Sequence, residues 1–356
     1  MKPALASSPA PFELGYRMPA EWEPHAATWL AWPHEKTDWP GKFAPIPWVY
    51  GEIARRLSQV EPVRILVEDA PAENAARRML SKAGANLSVV DFLRVSTNRG
   101  WTRDFGPVFV RKETGEVAVT NWRFNAWAKY DDWKKDDAVN DKLTSKLKWK
   151  MWQPEFRGRR VVLEGGSIAV NGLGTLLTTE DCLLSLVQAR NPGLSRDDLE
   201  GIFRNYLGAT HVLWLKNGIA GDDTHGHVDD LARFVSPTTV VTVVEDNPSE
   251  ENYKPLQENY SLLREMKDQD GRPLQVETLP MPEPVFFDGQ RLPASYANFY
   301  IANRIVLVPT FNDPNDRVAL AKLASLFPTR CIIGIACQDL VLGLGTIHCM
   351  TQQEPA

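Results

Sequence analysis

The chain has 356 residues with a formal net charge of −5, so it offers no electrostatic footprint for nucleic acid or an anionic membrane surface. No run approaches the roughly 20 apolar residues of a membrane span, and apolar content is ordinary for a globular protein large enough to bury a core without staples. The four cysteines show no zinc-site spacing, and Cys182, Cys331 and Cys337 sit in apolar runs, which excludes a disulfide framework and points to the cytoplasm.

In chain order, the opening stretch MKPALASSPAPFELGYRMP lacks the apolar core of a signal peptide. PWVYGEIARRLSQV has helical spacing and leads into the β-rich PVRILVED; AENAARRMLSKAGAN then leads into LSVVDFL. GPVFVRKETGEVAVTNW reads as a hairpin bending at Thr114-Gly115. KYDDWKKDDAVNDKLTSKLKWK reads as a solvated loop and helix. SRDDLEGIFRNYLG opens on a capping box from Ser195 to Asp198 and stops at Gly208, before the strand HVLWL. NYSLLREMKDQDG leads to PLQVETL, NFYIANRIVLVP reads as a hairpin, and NDRVALAKLASLF leads to RCIIGIA. This alternation of helix and strand argues for an α/β architecture. Polar-glycine motifs running into β-like segments recur near residues 27, 104, 164, 227, 298 and 349, a hint of internal repetition at very roughly 60 residues.

Four stretches carry residues suited to chemistry. In WTRDFGPVFV, Asp104 precedes a Gly-Pro turn; the bland alternative is pairing with Arg103. In VVLEGGSIAV, Glu164 ends an apolar run, where a carboxylate needs a cation or the amides of the following glycines. In GDDTHGHVDDLARFV, an extended backbone would put His225, His227 and Asp229 on one face, as a base with its orienting carboxylate or as a ligand run for a metal. In GLGTIHCMTQQEPA, Cys349 follows a glycine-rich turn, as a nucleophile or as a buried small residue. Together, one thiol, one imidazole and three carboxylates suit attack on a guanidinium carbon, whose planar fork carboxylates bind bidentately. Among the 12 tryptophans, those near these motifs suit an aromatic wall for a cation.

The motifs MPAEWEPHAATWLAWPH, WTRDFGP, NWRFNAW, LEGGSIAVNGLGTLLTTEDCLL, DDTHGHVDDLARF, SYANFYIANRIVLVPTFNDPND and GLGTIHCMTQQEP resemble the agmatine deiminase family. These are guanidine-modifying enzymes of the pentein fold, related to bacterial-type peptidylarginine deiminases. The resemblance implies an α/β propeller of five ββαβ-like units with pseudo-fivefold symmetry. It implies one catalytic domain over residues 16–356, after an N-terminal extension of 1–15. It places the catalytic cysteine at Cys349, the acid-base histidine at His227 and the guanidinium-holding carboxylates at Asp104, Glu164 and Asp229. Trp101 matches a substrate-lining tryptophan, with Trp32 and Trp127 as further candidates; His225 and His348 are left as structural residues.

The implied reaction hydrolyses agmatine to N-carbamoylputrescine and ammonia through a covalent thiouronium adduct, without metal or organic cofactor. The implied partner is a small cationic guanidine, and a homo-oligomer is the family's usual state. The alternatives are a deiminase of free or peptidyl arginine or of another guanidine, and a non-catalytic guanidine or polyamine binder. Four departures bear on the substrate: Leu344 and Thr346 stand where the family shows glycine and asparagine, Ala128 stands where glycine is common, and CLLSLVQARNP replaces an asparagine-rich form.

Overall fold

A computed structural model describes residues 9–356. The chain repeats one motif, an antiparallel hairpin whose second strand crosses over through a helix to a parallel strand. Parallel neighbours need such a crossover, which explains the alternation seen in the sequence. The second unit pairs Val108–Arg111 with Val117–Thr120 and returns through Val139–Leu147 to Met151–Trp152. The third pairs Ala169–Val170 with Thr175–Thr179 and returns through Arg196–Leu207 to His211–Leu215. The fourth runs Ala232–Phe234, Thr239–Val244, Tyr253–Glu265, Gln275–Pro280, and the fifth Tyr300–Ile301, Ile305–Thr310, Asn315–Leu326, Cys331–Ala336.

The first unit is assembled from both ends of the chain. His25–Ala31 pairs in parallel with Val63–Val67 across the helix Ile46–Leu57, but its antiparallel partner is the C-terminal strand Gln352–Pro355. The helix Ala70–Ala83 and the strand Val90–Arg94 extend this sheet. Trp29 Nε1 donates to Glu354 Oε2 at 2.8 Å, Arg64 pairs with the same carboxylate, and Ala356 N donates to Pro24 O at 2.8 Å. The last residues are therefore a buried, paired edge strand rather than a fraying end, and Cys349 hangs three residues before it.

The crossover helices follow their sequence signals. Arg196–Leu207 buries Leu199, Ile202, Phe203 and Leu207 on one stripe. Each such side chain contributes about 1.5–3 kcal/mol on burial. The Ser195–Asp198 capping box forms, and Gly208 closes the helix at φ 72°. Two expectations are corrected. The helix read into NYSLLREMKDQDG begins earlier, at Tyr253, and stops at Glu265, where Met266 turns extended. The charged stretch 129–150 is more than a solvated segment: Asp136, Val139, Asn140 and Leu143 are buried, and Asn140 Nδ2 donates to Phe105 O at 3.1 Å. Of the stretch 1–15 read as an N-terminal extension, residues 1–8 lie outside the described residues; Pro9 O accepts from Trp152 Nε1 at 3.2 Å and Pro11 is buried.

Deleting residues 352–356 removes the partner of His25–Ala31 while leaving Cys349 in the chain. The expected outcome is a lowered thermal midpoint by calorimetry together with loss of activity; a truncated protein with unchanged melting would contradict the closure described here.

Candidate active site

The site is built from equivalent positions of the five units. Asp104, Glu164, His227, Asn298 and Cys349 each stand two to five residues before the first hairpin strand of a unit. The recurring motifs of the sequence mark these positions, and six motifs serve five units because those near 27 and 349 share one sheet.

Asp104 lies in the turn Thr102–Phe105; its Oδ1 accepts from Gly166 N at 3.2 Å and its Oδ2 from Trp127 Nε1 at 2.9 Å. Arg103 does not pair with it. The Arg103 guanidinium donates instead to His348 O and Gln353 Oε1. Glu164 does not lean on the amides of its glycines: Oε1 accepts from Arg190 Nε at 3.1 Å, a fully buried pair. His227 sits among the acids, with Nδ1 3.8 Å from Asp104 and 4.0 Å from Asp229, and Nε2 3.7 Å from Glu164. Asp229 Oδ2 faces His348 Nδ1 at 2.6 Å and Cys349 Sγ at 3.8 Å. Gly166 is required here, because a Cβ would lie 2.5 Å from His227 Nδ1 and 2.8 Å from Asp104 Oδ1.

Four polar atoms at this point are buried without a hydrogen-bond partner: Glu164 Oε2, Asp229 Oδ1 and both ring nitrogens of His227. Orphaned buried polar atoms are rare in folded proteins and cost free energy. The two carboxylate oxygens among them, Glu164 Oε2 and Asp229 Oδ1, define a place for a ligand rich in N–H donors.

The electrostatics follow from burial and crowding. Burial, reinforced by Asp229 and Glu164 and opposed by His227, pushes the Asp104 carboxyl up to about 7. Burial also acts to raise Glu164, but Arg190 and His227 outweigh it and hold that carboxylate down at about 2. Burial opposes charge on His227, yet the surrounding acids, Asp104 foremost, raise it well above its ordinary value. Burial and then Asp229, Asp230 and Asp104 push the Cys349 thiol well above its ordinary value. Both directions favour a protonated imidazole and a neutral thiol over a thiolate–imidazolium pair, and no hydrogen bond joins the two side chains.

Above Cys349 and Asp104 opens a cavity of about 430 Å³. Trp101 and Trp127 line it, and Trp39 lies behind Trp101 at 5.4 Å between ring centroids. Trp32 does not line it: that ring packs edge-on against Tyr50, with 6.2 Å between ring centroids. Gly345 admits the wall to the backbone, since a Cβ there would lie 2.9 Å from Trp101. Two of the departures from the resembled family fall on left-handed backbone, Ala128 at φ 53° and Leu344 at φ 67°. Glycine adopts that conformation freely, whereas another residue costs about 1–2 kcal/mol. Thr346 Oγ1 donates to Asn298 Oδ1 at 2.7 Å.

His225 is not on the face of His227 and Asp229. It adopts φ 64°, which breaks the extended run, and its Nε2 lies 3.1 Å from Asp181. The H-x-H-x-D pattern therefore does not converge as a ligand set. His348, read as structural, touches Asp229 on one side and Glu21 on the other, at 2.8 Å. Residue-level reading also passed over Arg190 and Asn298. Asn298 had a signal: a polar residue inside the apolar YANFYIAN run, at a position the repeat spacing marked.

The chain matches the family described as Porphyromonas-type peptidyl-arginine deiminase over residues 17–355. An agmatine deiminase of Ectopseudomonas mendocina is 36% identical over 365 residues, 96% of each chain. The solved agmatine deiminase of Enterococcus faecalis is 35% identical and superposes with a TM-score of 0.90 over 98% of both chains. An agmatine deiminase of C. jejuni with substrate bound is 29% identical, with a TM-score of 0.85 over 96% of both chains. The fold expected from the motifs, a pentein, is the fold found. No helix among the described residues is long and apolar enough to cross a membrane.

Because the Cys349 thiol is raised, its ionised fraction must climb with pH. Peptide-resolved iodoacetamide labelling of the ligand-free protein is expected to be slower at Cys349 than at exposed Cys331 at pH 7, and to keep rising through pH 9. A plateau below pH 8 would mean that the thiol is already ionised at rest.

Proposed function

This chain belongs to the Porphyromonas-type peptidyl-arginine deiminase family, and from that membership we infer an agmatine deiminase that works through a covalent adduct on Cys349. The observation that carries the reading is the cluster of orphaned atoms. A guanidinium offers five N–H donors in one plane, and Glu164 Oε2, Asp229 Oδ1 and the Asp104 carboxylate offer acceptors around one point. Binding such a cation supplies the missing donors and offsets the buried anionic charge in one step.

The same cation lowers the cost of ionising the thiol, whose burden is its acidic neighbours. The proton leaves to solvent, and the sulfur attacks the guanidinium carbon as the C=N electron pair moves onto nitrogen. Protonated His227 gives its proton to the departing nitrogen, the C–N bond breaks, and ammonia leaves a thiouronium on Cys349. Neutral His227 then takes a proton from water and the hydroxide adds to carbon; the C–S bond breaks to return the thiolate as the C=O bond forms, and the remaining hydroxyl proton passes to solvent to leave the neutral ureido product. Asp104, Glu164 and Asp229 hold the carbon in place through both halves.

The cavity mouth supports agmatine over arginine. Arg99 lines it but is already paired with Asp38 and with Asp132, the latter at 3.1 Å. Asp223 lines it too, bound by Lys129 and by Tyr130 Oη at 2.7 Å. Asp288, on the hairpin between Phe286 and Arg291, lines it with no partner among the described residues. The free group at the mouth is thus anionic. It suits the terminal ammonium of agmatine and repels the α-carboxylate of arginine. The four cysteines are free thiols, which fits a reducing compartment, and the reading places the enzyme in the cytoplasm.

Purified protein offered agmatine, free arginine and an arginyl peptide is expected to release ammonia and ureido product from agmatine with kcat/KM at least about 100-fold above the others, the ~2.7 kcal/mol that one misplaced charge can cost. Comparable rates on arginine would overturn the specificity. Cys349→Ser should abolish turnover while calorimetry still detects agmatine binding; retained turnover would remove the nucleophile assignment. Asp288→Asn should raise the agmatine KM by roughly two- to five-fold with kcat unchanged, the size of an exposed ion pair.

A further inference from the structure

Four of the units bring Asp104, Glu164, His227 with Asp229, and Cys349 to the site; the fifth brings Asn298 from the equivalent position. Asn298 is fully buried. Its amide orientation is forced by its neighbours. The side-chain atom facing His348 N at 3.0 Å must accept, because a backbone N–H only donates, so that atom is Oδ1. Thr346 Oγ1 at 2.7 Å donates to the same oxygen. The amide nitrogen is therefore turned the other way, where its two hydrogens meet Cys349 Sγ at 3.1 Å and Asp230 Oδ1 at 2.9 Å.

We propose that Asn298 is a further catalytic side chain, donating an amide N–H to the Cys349 sulfur whenever that sulfur carries negative charge. The proposal rests on Cys349 being the nucleophile. A thiol sulfur accepts hydrogen bonds weakly, whereas a thiolate accepts a charge-assisted one. The contact therefore strengthens as the S–H bond is lost, and again when the C–S bond of the adduct breaks and its electron pair returns to sulfur. An interaction stronger in those states than in the resting thiol lowers the barriers and leaves substrate affinity nearly untouched. The donor is needed because the side chains around the sulfur otherwise oppose its charge, and only the Thr346 backbone amide works beside Asn298 to favour it. Asp104, Asp229 and Asp230 face it, Tyr50 approaches from the helix Ile46–Leu57, and His348 directs its ring to Asp229. Among these neighbours, Asn298 Nδ2 is the side-chain donor aimed at Sγ.

The test is Asn298→Asp, which keeps the shape and the Oδ1 acceptor but replaces the donor with an oxygen. Three readouts are taken: kcat and KM for agmatine, the pH profile of iodoacetamide labelling at Cys349, and the thermal midpoint. The expected result is a kcat lower by about 100-fold or more, of the size of one lost charge-stabilising donor. The labelling profile should move upward by about one pH unit or more, with KM changed by less than about three-fold. Thr346→Val, which removes one anchor of Oδ1 but leaves Nδ2 on the sulfur, should keep kcat within about five-fold, in line with one neutral hydrogen bond. If Asn298→Asp does not accumulate folded, Asn298→Ser, too short to reach the sulfur, is read the same way. A lowered kcat with an unmoved labelling profile, or an equal loss in Thr346→Val, would reduce Asn298 to an anchor of the loop and overturn the proposal. Failure of the underlying reading is separately visible, because Cys349→Ser would then retain turnover.

Discussion

Charge buried without a counterion is the constraint on which the rest of this molecule depends. Asp104, Glu164, Asp229 and Asp230 crowd around one imidazole, almost wholly removed from water. Isolated anions in such a place cost several kcal/mol each, so they must be paired, protonated or left for a ligand. The structure does all three. Arg190 compensates Glu164, and His348, itself backed by Glu21 and Arg233, holds Asp229. Asp104 and Asp230 are raised toward their neutral forms by burial and by neighbouring carboxylates, Asp229 acting on both. What is left over is a deficit of N–H donors at Glu164 Oε2 and Asp229 Oδ1, which a guanidinium can supply.

That deficit explains features which are otherwise unrelated. Gly166 must lack a side chain because the acids and the imidazole meet against its backbone. The thiol rests neutral because ionising it would add one more negative charge to the cluster. Chemistry then waits for the substrate, whose charge makes the nucleophile as well as binding the site. Trp101 and Trp127 close over the acids, and the indole N–H of Trp127 helps hold Asp104. The apolar wall excludes water, which strengthens each of these interactions.

The repeat supplies the geometry. Each hairpin begins just after a site residue, so each unit delivers one group to a common point by the same local route. The first unit completes that arrangement only when Gln352–Pro355 pairs with His25–Ala31. The strand that closes the first unit is therefore the one that directly follows Cys349. The left-handed positions at Ala128 and Leu344 belong to the same economy of space, since both sit where backbone passes close to the tryptophan wall and both carry strain that glycine would avoid.

Much of this was legible in the residues. Helix and strand periodicity gave the α/β class, and the Ser195 capping box and Gly208 stop located a helix to within a residue. The polar-glycine motifs marked the acids, the histidine and the cysteine, each with a bland alternative of its own, and it was their combination and the family resemblance that assigned them roles. What the residues could not supply was anything set by contacts distant in sequence. Arg103 adjoins Asp104 yet turns to His348, and Glu164 ignores the amides beside it for Arg190. His225 leaves the run it shares with His227 because one residue takes a left-handed backbone. Trp32 belongs to a motif but not to the wall. Asn298 was marked by the spacing, yet its amide gains meaning only when the chain's last loop folds onto it. The sequence by itself determined which chemical groups are available and how often the motif recurs, since those follow from local pattern. Only the tertiary structure decided which acid is paired and which is left waiting, because that choice is made by partners that are not sequence neighbours, Arg190 for Glu164 and His348 for Asp229.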